Sequence, residues 1–245
     1  MKHVHFLTSM PRAGNTLLGS ILNQNKNINV TPNSIISEMI FKLHELKECE
    51  IFRNFPDDKP LNNVIKNVFN NYYKDWKVDH VLDRSTWGTP FNLFYLKSII
   101  KKPKFVILYR PVLECLASFI KIEKPIDVEI RCEKLMDYDG AIGKSLWSIN
   151  NLIKEKEDYI IIHYKNFIKN PNKEIKKIFD FLKIPFKNFN LNNLKQFSSN
   201  NISYDDSIFN ISIHTIRTNK IQLNKYNIED YLPSNIIKKY SNLDI

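Results

Sequence analysis

Glycine, arginine and cysteine are scarce in this chain of 245 residues: five Gly, six Arg and three Cys. So few glycines exclude a collagen-like or glycine-rich linker protein. Three cysteines, odd in number and without a Cys-x-x-Cys pair, argue against a disulfide framework or a zinc site. They fit a reducing compartment. No apolar stretch has the length of a signal peptide or a membrane anchor. The expectation is a soluble cytoplasmic protein with no transmembrane segment.

What is plentiful is Ile (34), Lys (30) and Asn (30). That skew fits AT-rich coding better than a functional demand, so single Lys and Asn residues carry little information. Arg carries more. Where Lys is the default cation, Arg marks a place that needs a rigid fork of donors. The six are Arg12, Arg53, Arg84, Arg110, Arg131 and Arg217. Hydrophobic residues at 43% and aromatics at 12% supply an ordinary core. The net charge of +10 suits an anionic ligand, nucleic acid or a membrane surface. The lysines are scattered and no Arg-rich helix is visible, so sequence-specific nucleic-acid binding is not expected.

Short apolar runs alternate with helical patterns. Strands are predicted at 4–7, 80–82, 105–109 and 159–163, the last two as strands buried on both faces. Helices are predicted at 16–24, 34–46, 61–73, 92–100, 113–120, 139–154 and 172–182, the last starting after Pro171. This alternation predicts an α/β fold: one parallel β-sheet with helices on both faces, in three layers. No repeat or linker divides the chain, so residues 1–245 read as a single domain. Residues 186–245 are polar and Asn-rich, and are expected to form an irregular wrap with a last helix at 233–240.

In such a sheet, ligands bind at the carboxyl ends of the strands. Arg12, Arg84 and Arg110 all follow predicted strands, and Tyr164 follows the last one. The first loop, Ser9-Met10-Pro11-Arg12-Ala13-Gly14-Asn15-Thr16, joins a strand to a helix N-terminus. Such a loop aims backbone N–H groups and the positive end of the helix dipole at an anion. Gly14 permits a tight turn, Asn15 and Thr16 offer side-chain donors, and Arg12 adds a fixed cation. It is not a Walker loop, because the GxxxxGK[ST] pattern and its Lys are absent. The bland alternative is a turn in which Thr16 merely caps the helix. In the second motif Ser118 follows Arg110 by eight residues, about 11 Å along a helix. If that helix packs back beside the loop, both can hold one phosphate. The alternative is an Arg paired with a surface carboxylate.

Together these segments resemble the sulfotransferases that use 3'-phosphoadenosine 5'-phosphosulfate (PAPS), a family with a P-loop kinase-like fold. SMPRAGNTLLGSILNQN resembles their 5'-phosphosulfate loop, and KFVILYRPVLECLASF their 3'-phosphate segment with its Arg-to-Ser interval. IIHYKNFIKNPNKEIKKIFDFLKIP, LDRSTWG and SIHTIRTNK resemble further stretches of a bacterial and phage-like branch, so the similarity spans roughly 3–240. Three positions depart from the pattern. Pro111 stands where an Asp often follows the Arg, Lys165 where an acidic residue follows the Tyr, and Asn33 near the place of the catalytic Glu of distant relatives.

The resemblance implies transfer of a sulfuryl group from PAPS to a hydroxyl or amine, releasing PAP, without a metal. It implies that Arg12 and the Ala13, Gly14, Asn15 and Thr16 loop hold the phosphosulfate and that Arg84 reaches the sulfate. Arg110 and Ser118 would bind the 3'-phosphate, Tyr164 would line the adenosine site, and Arg217, Lys220 or Lys225 would close over the nucleotide. The base that takes the acceptor proton is sought among Glu38, Asp83, His80 and His44, with Glu38 and Asp83 preferred. The acceptor itself (glycan, lipid, small molecule or protein Tyr) is not readable. The rival readings are a P-loop small-molecule phosphotransferase and a non-catalytic nucleotide- or nucleic-acid-binding module.

Overall fold

The computed structural model describes residues 2–216, 221 and 227–245. Five strands form the central sheet: β1 (His3–Ser9), β2 (Ile28–Asn33), β3 (His80–Arg84), β4 (Lys104–Tyr109) and β5 (Asp158–His163). Their spatial order is β2-β3-β1-β4-β5, and every neighbouring pair is parallel. The fold class read from the sequence is the one observed. β4 shows why: Phe105, Val106, Ile107, Leu108 and Tyr109 are all buried, which requires cover on both faces of the sheet.

The helices, in chain order, are α1 (Asn15–Leu22), α2 (Ile36–Glu45), α3 (Glu50–Asn54), α4 (Asp58–Lys66), α5 (Val68–Tyr72) and α6 (Pro90–Ile99). They continue with α7 (Val112–Glu123), α8 (Val128–Met136), α9 (Ala141–Lys154), α10 (Tyr164–Lys169), α11 (Pro171–Leu182) and α12 (Ser234–Tyr240). A two-stranded ribbon, β6 (Ser198–Ser199) with β7 (Ile202–Ser203), lies between α11 and α12. Among the described residues no helix is long and apolar enough to cross a membrane.

Four expectations need correction. β2 escaped notice because only Ile28 and Val30 alternate in Ile-Asn-Val-Thr-Pro-Asn; at the sheet edge, half a pattern and a Pro suffice. β5 is the other edge rather than a strand buried on both faces, and of its residues only Ile162 is fully buried. The helix expected at 61–73 is two, α4 and α5, broken at Asn67, whose backbone leaves helical geometry (φ −98°, ψ 5°). The stretch between α7 and α9 holds α8, capped by Asp127, whose side chain accepts from the Ile130 amide.

The order of the strands locates the site. From β1 the chain moves out to β2 and returns through β3; from β4 it moves the opposite way to β5. β1 and β4 are neighbours whose connections diverge, so a crevice opens beyond their carboxyl ends. Arg12 follows β1 and Arg110 follows β4.

Candidate functional site

At this switch point the β1–α1 loop folds tightly. Arg12 itself adopts the left-handed backbone conformation (φ 61°), and so does Gly14 (φ 89°). For a non-glycine residue this costs roughly 1–2 kcal/mol. Arg110 compensates by donating from Nη1 to the Arg12 carbonyl at 2.7 Å, a charge-assisted bond across the two strands. Asn15 turns inward: its Nδ2 donates to the Met10 carbonyl at 2.9 Å, and its buried Oδ1 has no partner among the described residues. The loop is therefore held from both ends. Ala13 is buried, while Gly14 and Thr16 at the start of α1 are half-buried. The first amides of a helix have no intrahelical acceptor, and here they face the crevice end of the sheet.

The Arg12 guanidinium reaches Ser118 on α7, with Nε 3.3 Å from Oγ, and donates through Nη1 to the Ile213 carbonyl at 2.8 Å. Arg110 and Ser118 are both buried. Arg110 lies over the Tyr164 ring, 4.5 Å from its centroid. Its Nε also bonds Glu114 at 3.2 Å, and the other oxygen of Glu114 meets Lys165 at 2.8 Å. Arg12, Arg110, Ser118 and Tyr164, named from sequence, thus form one cluster. Glu114 was missed, although its i,i+4 spacing from Arg110 on a helix was the available signal. Lys165 stands where the family pattern has an acidic residue, so two cations, Arg110 and Lys165, share a single carboxylate here, with Arg12 close by. That excess of positive charge suits a dianionic phosphate.

β3 contributes the other half. Arg84 is half-buried at its end, with Nη1 3.2 Å from the Tyr204 hydroxyl. The Tyr204 ring is stacked on His214, centroids 3.8 Å apart and planes within 7°. The Nδ1 of His214 is 2.6 Å from Asp206, whose second oxygen accepts the His214 backbone N–H at 2.9 Å. The C-terminal wrap thereby enters the site between Arg12 and Arg84. Arg217, Lys220 and Lys225, expected to close over a nucleotide, lie outside the described residues.

Asp83, beside Arg84, is fully buried. Trp87 Nε1 donates to one oxygen at 2.8 Å and the Tyr73 hydroxyl to the other. Burial pushes its carboxyl up to about 6, against the opposing bonds from Tyr73, Trp87 and Ser34. It anchors the strand end from below. Glu38 is exposed in the first turn of α2. His80 begins β3 and so sits at the amino end of the strands, opposite the crevice, beside His3 and His5. His44 stacks on Tyr95 of α6, centroids 3.9 Å apart. Arg131, weighted with the other arginines, is spent on a bidentate pair with Glu123 between helices.

Comparison with known proteins agrees with this fold. The model of the sulfotransferase family matches residues 5–188. The chain belongs to the sulfotransferase family. A search of curated proteins finds no match. Among solved structures, the sulfotransferase domain from the curacin biosynthetic pathway superposes with a TM-score of 0.59 at 16% identity, covering 100% of this chain and 92% of that one. The sulfotransferase domain of the Synechococcus PCC 7002 olefin synthase gives 0.57 at 17%, with 87% and 86% covered. Mouse sulfotransferase SULT7A1 complexed with PAP gives 0.55 at 13%, with 99% and 83% covered. At these identities the likeness carries the fold, the P-loop-like fold expected from the sequence.

A separate cavity of about 690 Å³ lies on this sulfotransferase between α2, α4 and α5. Met39, Leu43, Leu46, Val64, Val68 and Tyr72 supply its apolar wall. Its helix α2 is tied to the end of β3 by the Ser34 amide, which donates to the Arg84 carbonyl at 2.7 Å, and by Ser37 and Ser85, whose hydroxyls are 2.8 Å apart.

Proposed function

We propose that the chain transfers a sulfuryl group from PAPS to a hydroxyl or amine acceptor and releases PAP. The observation that carries this reading is the cluster of Arg12, Arg110 and Ser118 at the β1/β4 switch point, backed by the α1 N-terminus. In this reading Arg12 and the Ala13–Thr16 loop hold the phosphosulfate. Arg12 steadies the charge that grows on the bridging oxygen as it leaves, and Arg84 meets the sulfate oxygens from β3. Catalysis of this kind is mainly positioning and electrostatics. Arg110 and Ser118 hold the 3'-phosphate, and Tyr164, fixed under Arg110, borders the adenosine. The PAP bound to the mouse relative supports the same nucleotide here.

The test is calorimetric titration with PAP and with ADP, which lacks the 3'-phosphate. Micromolar PAP and much weaker ADP are expected. Arg110→Ala is expected to weaken PAP by roughly 1.5–3 kcal/mol, the scale of a hydrogen bond to a charged group, and to leave ADP nearly unaffected. Equal losses for both ligands would sink the assignment of Arg110. Preference for ATP with magnesium would replace the reading by a phosphotransferase.

A further inference from the structure

A hydroxyl acceptor must lose its proton as the new bond to sulfur forms, and the residue that takes it needs a basic atom open to the crevice. Glu38 is exposed on α2, with no contact that directs it to the strand ends. Asp83 is sealed in the core with both oxygens accepting. His80 is at the amino end of the strands, away from the crevice, and His44 is stacked on Tyr95.

His214 lies instead at the strand ends, between the carbonyl held by Arg12 and the Tyr204 ring whose hydroxyl meets Arg84. Its position is fixed on every side: the carbonyl before it by Arg12, its ring by Tyr204, and its own N–H by Asp206. Phe209 lies against the ring at a centroid distance of 6.4 Å. The charged and titratable groups around it are therefore Asp206, Tyr204, Arg84 beyond the Tyr204 hydroxyl, and Arg12 beyond Ile213. Burial alone raises the Asp206 carboxyl, but bonds from the His214 backbone and ring outweigh it and hold the group below its ordinary range. Asp206 is thus an ionised, acceptor-only partner, so Nδ1 of His214 must carry the hydrogen. Its lone pair is then on Nε2, which has no hydrogen-bond partner among the described residues. An acid that fixes the tautomer and orientation of an imidazole base is the arrangement of hydrolytic triads.

From this geometry we infer that His214, positioned by Asp206, is the general base of the transfer. The inference rests on the PAPS reading above. The acceptor O–H proton passes to Nε2, the acceptor oxygen bonds sulfur, and the bond from sulfur to the bridging oxygen breaks with its electron pair going to PAP. The imidazolium then returns its proton to solvent. Arg12 binds both the segment that carries the base and, in the proposed site, the leaving group. The base is therefore placed by the residue that meets the donor.

The experiment uses the full chain with labelled PAPS and two acceptors, water and 2-naphthol, from pH 5 to 9. PAP affinity is measured on every variant by calorimetry. His214→Asn is expected to keep PAP affinity within about twofold, to lose at least about 100-fold in rate to both acceptors, and to lose the rise of rate with pH. Added imidazole is expected to restore part of the rate of His214→Ala, which a merely structural histidine does not allow. Asp206→Asn is expected to lose less than His214→Asn. If His214→Asn keeps the rate and its pH limb, or if Glu38→Gln or Asp83→Asn abolishes that limb instead, the inference is overturned. PAP binding by the wild type without transfer to either acceptor also overturns it. Failure of the wild type to bind PAP is a different result: it removes the PAPS reading itself.

Discussion

The β1/β4 end of the sheet and the α2–α5 cavity are built in opposite ways. On the β1/β4 side Arg110, Ser118 and Tyr164 are buried, Arg12 is half-buried, and the groups are cross-braced. Arg110 holds the Arg12 carbonyl, Arg12 holds Ser118, and Glu114 joins Arg110 to Lys165. On the α2–α5 side the walls are short helices around an open apolar cavity, with exposed Glu38 nearby. A site for an invariant, highly charged donor rewards fixed cations, because desolvated charges must be matched closely. An apolar wall discriminates by shape and gives little per methylene. The comparison teaches that the β1/β4 end holds rigid, matched charge, whereas the α2–α5 cavity is a replaceable apolar lining.

The comparison breaks most sharply at Arg12. Arg12→Ala removes a cation together with its bonds to Ser118 and to the Ile213 carbonyl, so turnover of PAPS is expected to fall by about 10²–10³-fold. Arg12→Lys keeps the charge without the fork and is expected to fall between. A loss below tenfold in Arg12→Ala would show that the loop amides suffice.

Next is Asp83, the buried support between the two sides. Its folded carboxyl is raised from 3.8 to about 6, so the folded chain holds that proton more tightly than the unfolded chain does. The stabilisation is whole below 3.8 and is lost as pH rises toward 6. Relative to Asp83→Asn, the wild type is expected to gain up to about 3 kcal/mol on acidification through this window. Parallel curves for the two proteins in denaturant titrations at pH 4 and 7 would refute it.

Ser118→Ala is a smaller perturbation on the braced side. It is expected to weaken PAP by about 0.5–1.5 kcal/mol, the net worth of one hydrogen bond, with ADP unchanged. The smallest effect is expected at the α2–α5 cavity. Cys49 is exposed and borders the cavity, whereas Cys115 and Cys132 are buried, and burial pushes the Cys115 thiol up to about 12. In the native protein one thiol of three is expected to react with a maleimide. A polarity-sensitive dye attached there should keep its emission when PAP is added. A shift would mean that the two sides communicate.

By itself the sequence determined the parallel α/β sheet, because runs such as Phe-Val-Ile-Leu-Tyr at 105–109 are apolar without alternation and suit only a strand covered twice. It also marked Arg12, Arg84, Arg110, Ser118 and Tyr164, because an Arg at a strand end in a Lys-rich chain stands out. Tertiary structure decided the rest. β2 and β5 became edges only through strand order, which local patterning does not encode. Glu114 and Lys165 share a charge across two helices, 51 positions apart but 2.8 Å in space. Residue 244 also returns to the central strand: Asp244 accepts from Tyr109 at 2.6 Å and caps the start of α7 through the Val112 amide at 3.0 Å. The stretch that holds His214 resembled a family segment, but the role of His214 was not legible, for the same reason. In Ser-Ile-His-Thr it is one histidine in an aperiodic stretch, and only long-range packing sets it between Asp206, Tyr204 and the two arginines. Periodicity reports which face of an element is buried; it does not report which distant side chains meet there.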